Sequence, residues 1–506
     1  MGAEVDRIED PSDPAGLIEL LGDWTSGPGP RYRSLAAAVA RAIGTGDLRP
    51  GERLPAERRL ADALAVSRAT VVAAYDALRV SGLVESRRGS GTRVVRAGGP
   101  TLAPADGRLR GNRAGSIVQR LLDRPDDVIS LGRAAEPGGP DLGAALAELV
   151  REDLPGLLGD AGYHPAGLPV LRAAVAAHHT AFGLPTTPDQ VLVTSGATQA
   201  IGLAAQLFVG RGSTVLVESP GWAGCLDVFR AAGARLAGVG IDDDGIRIDG
   251  LAAALAEHRP ALLYVMPTYQ NPTGVLMSQG RRHRVAELAA AHGVTVLEDS
   301  AHEAALAPGR TPAPIAAAPA AGGAGGTGAA VLTVGSLAKA VWGGLRIGWL
   351  RAPRPVVERA ARLKALADLG SPLLDQALAA RLLPRLPGLA PARAELQRQH
   401  LTTMGDLLSR ELPGWRWRQP DGGSVLWIEL PGGADARVFT QVALRHGAEV
   451  VPGAALDVTG AHDHYLRLPC SFPPRTAAEL VGRLAGAWAE FSSSGGGEGG
   501  HPRRGA

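Results

Sequence analysis

AVLTVGSLAKAVWGGLRIGW, residues 330–349, decides the fold. Residues 330–336 are apolar or small without alternation, the pattern of a strand covered on both faces of a sheet. A turn of small residues follows and carries Lys339, with Arg346 further along the same stretch. Of the 52 basic residues only two, Lys339 and Lys364, are lysines. A chain that uses arginine wherever a plain positive charge suffices keeps a lysine where a primary amine is needed. Lys364 stands in an Arg/Ala-rich helical stretch and reads as a surface residue.

Runs of the same kind stand at 191–194 (VLVT), 214–219 (TVLVES), 261–267 (ALLYVMP) and 294–299 (VTVLED), with helical stretches between most of them. That alternation over 126–490 predicts a parallel α/β sheet with helices on its faces. The chemistry-bearing residues fall at the carboxyl ends of these runs, where such sheets place ligands. Ser195-Gly196-Ala197-Thr198 follows one strand and opens a helix. Asn271 lies in YQNPTG past another, and Asp299 ends a third. Singly, each has a structural reading: a strand–helix junction, a turn and a strand-end cap. Their ordered sequence argues for one site.

Length and composition bound the rest. The 506 residues suggest two to four domains, and 45% hydrophobic with 20% charged residues describes a soluble globular protein. Cys225 and Cys470 lie far apart without metal-ligand spacing, which fits a reducing compartment and no metal site. The acidic N-terminus lacks the apolar core of a signal peptide, and no apolar run is long enough for a membrane span, so a cytoplasmic protein is expected. Residues 1–25 and 491–506 read as disordered tails, 97–125 as a linker and 311–328 as a low-complexity loop.

Charge is unevenly placed. Residues 26–96 hold thirteen arginines against six acids, a surplus of +7 in a chain whose net charge is +2, so the remainder carries −5. A basic block on a mildly acidic body is the footprint of a nucleic-acid module. Helices are expected at 31–45, 56–65 and 68–81, followed by two short strands around a Gly-rich tip flanked by Arg87, Arg88 and Arg93. Ser67, as helix N-cap, with Arg68 and Thr70 would face a major groove and its phosphates. The stretch GDLRPGERLPAERRLADALAVSRATVVAAYDALRVSGLVESRRGSGTRV resembles the winged helix of GntR-type regulators. The resemblance implies DNA contacts for Arg58, Ser67, Arg68 and Thr70, and a wing-tip role for Gly91. Ala56 stands where the family places a Ser or Thr cap.

Pyridoxal phosphate requires a primary amine, a carboxylate facing its ring nitrogen, a donor for its ring oxygen, and amides with positive charge for its phosphate. The residues above supply one of each. GLPVLRAAVA, VTSGATQAI, VESPGW, YQNPTG, LEDSAHE, SLAK…GLRIGW and YLRLPCS resemble fold-type I, class I-like aminotransferases, with large and small subdomains, over 126–490. Together with the winged helix, the chain resembles the MocR-type branch of GntR regulators. The resemblance implies that Lys339 binds the cofactor covalently, Asp299 pairs with its ring nitrogen and Asn271 contacts its ring oxygen. It gives the phosphate to Ser336, Arg346 and the amides of Gly196, Ala197 and Thr198. Trp222 stands where an aromatic stacks on the ring, and His302 where related enzymes have a tyrosine; MocR-like sequences place theirs at the position of Ala301. Ala338 replaces a frequent serine. Tyr163 lies near a tyrosine that reaches a partner's phosphate, offset by one residue. Arg467 would bind a ligand carboxylate.

The expected function is a transcription regulator that senses an amino acid or amine as an external aldimine and binds an operator as a head-to-tail homodimer. The alternative is a working aminotransferase with a DNA-binding domain attached. Neither effector nor operator is legible.

Overall fold

The computed structural model describes residues 13–21, 24, 30–44, 46–87, 91–95, 128–130, 138–302, 312–319 and 330–493. It opens with helices α1 (Pro14–Leu21), α2 (Arg31–Gly44), α3 (Glu57–Leu64) and α4 (Arg68–Val80), followed by a hairpin of β1 (Val84–Arg87) and β2 (Gly91–Val94). Leu35, Val39 and Ile43 of α2 are buried, as their helical spacing requires. Ser67 caps α4 by accepting from the Thr70 N–H at 3.2 Å, whereas Ala56 gives α3 no side-chain cap. A two-residue strand, β3 (Ile129–Ser130), comes next.

Two expectations are corrected here. Residues 1–25 are not a disordered tail throughout, because PAGLIELL forms α1, and Leu17, Leu21 and Trp24 are buried in the core shared by α2, α3 and α4. Eight residues do not sustain a helix alone. Leu17, Leu20 and Leu21 form one apolar edge, and packing against α2 and α3 holds it. The tail expected at 491–506 is corrected at its start, because residues 491–493 end a helix and Phe491 is buried; residues 1–12, the linker expected at 97–125 and residues 494–506 lie outside the described residues.

The chain folds into two compact units. In the first, among the described residues, eight strands form one sheet: β4 (Val191–Thr194), β5 (Thr214–Ser219), β6 (Arg235–Asp242), β7 (Gly245–Ile246), β8 (Leu262–Val265), β9 (Thr295–Asp299), β10 (Val331–Ser336) and β11 (Gly348–Arg351). Their order is β4-β11-β10-β9-β8-β5-β6-β7. β4, β8 and β10 are buried at every position, which accounts for their unbroken apolar runs. Helices cover the sheet, among them α5 (Ala197–Phe208), which follows β4, and α6 (Arg354–Asp368), which packs on α5.

The sheet is mixed, not parallel throughout. β5, β6, β8, β9 and β10 pair in parallel, but β11 runs antiparallel to both β10 and β4. The segment from Leu337 to Ile347 holds no crossover helix, only a short 3-10 turn, so the chain returns directly beside β10. Lys339 and Arg346 both lie in that return.

The second unit joins the winged helix to the C-terminal subdomain. There β12 (Arg416–Trp417), β13 (Val425–Glu429), β15 (Val451–Pro452) and β16 (Tyr465–Pro469) form a sheet in the order β12-β13-β16-β15, while β14 (Ala448–Glu449) pairs with β3. α7 (Ala436–Arg445) and α8 (Pro474–Ser493) pack around Trp415, Phe439, Trp488 and Phe491, whose neighbouring rings lie 5.4–5.8 Å apart. α3 packs on α7, and Trp24 Nε1 donates to buried Gln441 Oε1 at 3.1 Å.

Candidate cofactor site and DNA-reading face

The register of β10, β11 and β4 aligns Ser336 with Gly348 and Gly348 with Thr194. This row brings the lysine turn against the turn that opens α5. A Cβ on Gly348 would lie 2.7 Å from the Gly196 carbonyl carbon, and one on Gly196 2.7 Å from Arg346 Nη2. Gly196 also has φ +125°, a region side chains rarely adopt. Glycine is therefore required where Arg346 lies over the start of α5. Gly196 gives α5 no side-chain cap, so the first N–H groups of the helix, at Ala197 and Thr198, point out of its end. Arg346 Nη2 donates to the Ser195 carbonyl at 2.8 Å, and Arg346 holds φ +53° without being glycine. Tyr269, two residues before Asn271, does the same at φ +52°; such strain concentrates at functional sites.

Ser336 is buried; its Oγ accepts from the Ala338 N–H at 3.1 Å and donates weakly to the Ile347 carbonyl at 3.5 Å. The hydroxyl thus fixes the turn that presents half-buried Lys339. Asp299 is buried at the end of β9. Its Oδ2 accepts from Tyr264 Oη at 2.7 Å and its Oδ1 from the Ala301 N–H at 3.0 Å. Burial pushes the Asp299 carboxyl above the usual range, while Tyr264, Ala301 and the nearby Lys339 charge pull it back. Tyr264 was missed in the sequence; its only signal is one phenol in the aliphatic run ALLYVMP. Burial also pushes Glu218 up to about 8. Glu218 Oε2 accepts from the Met266 N–H at 3.0 Å, and Oε1 is buried without a partner among the described residues.

Trp222 precedes Gly224, where a Cβ would lie 2.4 Å from the indole, so the ring rests on bare backbone. His302 is buried and meets Tyr269 edge-on at 6.5 Å between centroids. Asn271 is half-buried in its turn. Arg467 belongs to the other unit, on β16 opposite Val451, where burial lowers it to about 10; it remains a cation at neutral pH. Lys364 is a correction. It is 1% exposed and paired with Asp368 Oδ1 at 2.9 Å, because the face of α6 that carries it packs on α5.

On the winged helix, Arg58, Ser67 and Arg68 are exposed and Thr70 is half-buried. The Ser67 and Thr70 hydroxyls lie 2.9 Å apart, and Arg68 Nη2 reaches Glu57 Oε2 at 3.2 Å. That pair joins the start of α4 to the start of α3, beside Arg58. Arg93 donates to the Gly51 carbonyl at 2.8 Å and so braces the hairpin. Gly91 has φ +79°, and a Cβ there would lie 2.7 Å from Arg53 Nε. Arg88 and the tip at 89–90 lie outside the described residues.

Residues 31–94 match the bacterial regulatory proteins of the gntR family, and residues 159–484 match aminotransferase class I and II. The chain is 31% identical over 480 residues to the HTH-type transcriptional regulator YisV of Bacillus subtilis (strain 168), covering 90% of this chain and 96% of that one. It is 32% identical over 374 residues to the "Probable rhizopine catabolism regulatory protein MocR" of Rhizobium meliloti, 69% of this chain and 71% of that one. The chain belongs to the MocR-type branch of the GntR transcription regulators. Among solved structures, this MocR-type regulator is similar to LysN, the alpha-aminoadipate aminotransferase of Thermus thermophilus. They share 28% identity with a TM-score of 0.65, over 77% of this chain and 97% of LysN, whose structure holds N-(5'-phosphopyridoxyl)-L-leucine. As a MocR-type regulator the chain binds DNA through its winged helix and uses pyridoxal phosphate in its aminotransferase-like part. The residues present fit that cofactor: a glycine cradle beneath an arginine, uncapped helix amides, and a buried carboxylate near a lysine.

Proposed function

We propose that this regulator is ligand-responsive, and that a small amino compound bound in the cofactor domain changes its grip on operator DNA. The observation that carries this reading is the register that sets the Lys339 turn against the uncapped start of α5, beside the end of β9 that carries buried Asp299, in a chain that also carries a DNA-reading head. Lys339 would hold the cofactor, whose aldehyde would supply an electrophile for primary amines. Asp299, kept in place by Tyr264 and the Ala301 N–H, would pair with the ring nitrogen. Asn271 and His302 would serve the ring oxygen, and Trp222 would supply an aromatic surface for the ring. The amides of Gly196, Ala197 and Thr198 would hold the phosphate with Arg346 and Ser336. Arg467 keeps the carboxylate-binding role that the resemblance gives it.

Arg58, Ser67, Arg68 and Thr70 contact the operator, with Gly91 shaping the wing. The Arg68–Glu57 pair is exposed, and such pairs contribute little, so exchanging Glu57 for a phosphate costs little. Apolar surface on the first unit supports a homodimer, whose head-to-tail arrangement is what the resemblance implies. Leu146 and Val150 share a helix face, while Leu158, Tyr163, Trp342 and Leu369 are also exposed, Tyr163 at 69%. No helix among the described residues is long and apolar enough to cross a membrane, and we place the regulator in the cytoplasm with the DNA it reads.

Selection from a random duplex pool gives a preferred site, against which amino acids are then titrated singly. At least one should change duplex affinity for the wild-type chain and have no effect on Lys339→Ala. An equal response in both proteins would end the reading.

A further inference from the structure

The second lysine of the chain lies one relay away from the phosphate turn. Lys364 Nζ pairs with Asp368 Oδ1 at 2.9 Å, and the Gly370 N–H reaches the same oxygen at 3.1 Å. Asp368 Oδ2 accepts from Gln199 Nε2 at 3.3 Å. That bond fixes which way the Gln199 amide faces, and its Oε1 accepts the Ser195 N–H at 2.8 Å. The Ser195 carbonyl is meanwhile held by Arg346 at 2.8 Å. Ser195, the residue that begins the phosphate turn, is thus held through both of its peptide groups, by Arg346 at its carbonyl and by a chain leading back to Lys364 at its N–H.

We propose that Lys364 is a positioning residue for the cofactor phosphate: its buried amine neutralises Asp368 and, through Gln199, orients the Ser195 peptide. The inference rests on the phosphate reading above. Asp368 bonds the first turn of α5, so its charge stands close to the place where a dianion enters. With Lys364 paired to it, the carboxylate orients Gln199 without opposing the phosphate. Without that partner, the same carboxylate repels the anion it helps to bind.

The test compares pyridoxal phosphate with pyridoxal, which lacks the phosphate, by spectral titration of the full cofactor-free chain. Wild type should prefer the phosphorylated form. Lys364→Met should lose about tenfold in affinity for pyridoxal phosphate and almost nothing for pyridoxal, the signature of one uncompensated charge near an anion. The Lys364→Met/Asp368→Asn double variant removes that charge while keeping an acceptor for Gln199, and should regain most of the loss. Gln199→Ala, on the half-exposed side of the relay, should show the same phosphate-selective loss even where Lys364→Met does not fold. Equal losses for both ligands without recovery in the double variant, or unchanged affinity in Lys364→Met and Gln199→Ala, would overturn the inference alone. A wild-type chain with no preference between the two ligands would overturn the phosphate reading beneath it.

Discussion

Tyr264→Phe removes one oxygen from the interior and tests what controls Asp299. Tyr264 is 1% exposed, and its hydroxyl donates to Asp299 Oδ2 at 2.7 Å. The substitution leaves the ring in place and creates almost no cavity. A hydrogen bond to a charged group contributes about 1.5–3 kcal/mol. Asp299 then keeps the Ala301 N–H and the Lys339 charge against the burial that already raises it. Its carboxyl therefore moves further up, and the protonated form gains at the expense of the carboxylate that pairs with the ring nitrogen. If the lost bond falls wholly on that pairing, pyridoxal phosphate binds roughly 10- to 100-fold more weakly. The sign fixes the pH dependence: the deficit is greatest at low pH and shrinks as rising pH ionises Asp299. Spectral titration of cofactor into wild type and variant across pH measures it. A ratio independent of pH, or no loss at all, would remove Tyr264 from the control of Asp299.

Other outcomes follow from single residues. Ala56 has the backbone of an N-cap (φ −62°, ψ 138°) without its side chain, so Ala56→Ser should stabilise the chain by about 1 kcal/mol in denaturant melts; no gain would show that α3 needs no cap. Glu218 ionises near 4.5 when unfolded but is held protonated to about 8 in the fold, so stability is full below 4.5 and is lost as pH rises towards 8. Glu218→Gln cannot ionise, and its melting temperature should gain on wild type between about pH 5 and pH 9; a constant difference would contradict the assignment. Arg68→Ala should weaken duplex binding and lower the slope of log affinity against log salt by about one, with cofactor content unchanged. An unchanged slope would take Arg68 off the phosphate backbone.

The parts of the fold legible in the sequence were those whose burial is complete. β4, β5, β8, β9 and β10 are covered on both faces and read as apolar runs, and Asp299, Ser336 and Lys339 could be placed by following those strands to their ends. β11 escaped because it is short and glycine-led, and its direction depends on the length of the preceding turn. β6 escaped because its burial is irregular along the edge side of the sheet. α1 was hidden because eight residues between prolines and glycines carry too little periodicity, and only packing against α2 and α3 reveals its face. Lys364 looked like a surface residue for a related reason: an Arg/Ala-rich helix does not announce which side packs. Tyr264 and Gln199 each meet a carboxylate distant in sequence, Asp299 and Asp368, and no local pattern records such partners.

Ligand sensing in this regulator depends on the amine of Lys339. Borohydride reduction of the full-length holoprotein, followed by peptide mass analysis, tests this directly, and the chain supplies its own control because Lys364 is the only other lysine. A pyridoxyl adduct is expected on Lys339 and none on Lys364; an adduct on Lys364, or on neither, would refute the assignment of Lys339 as the cofactor lysine.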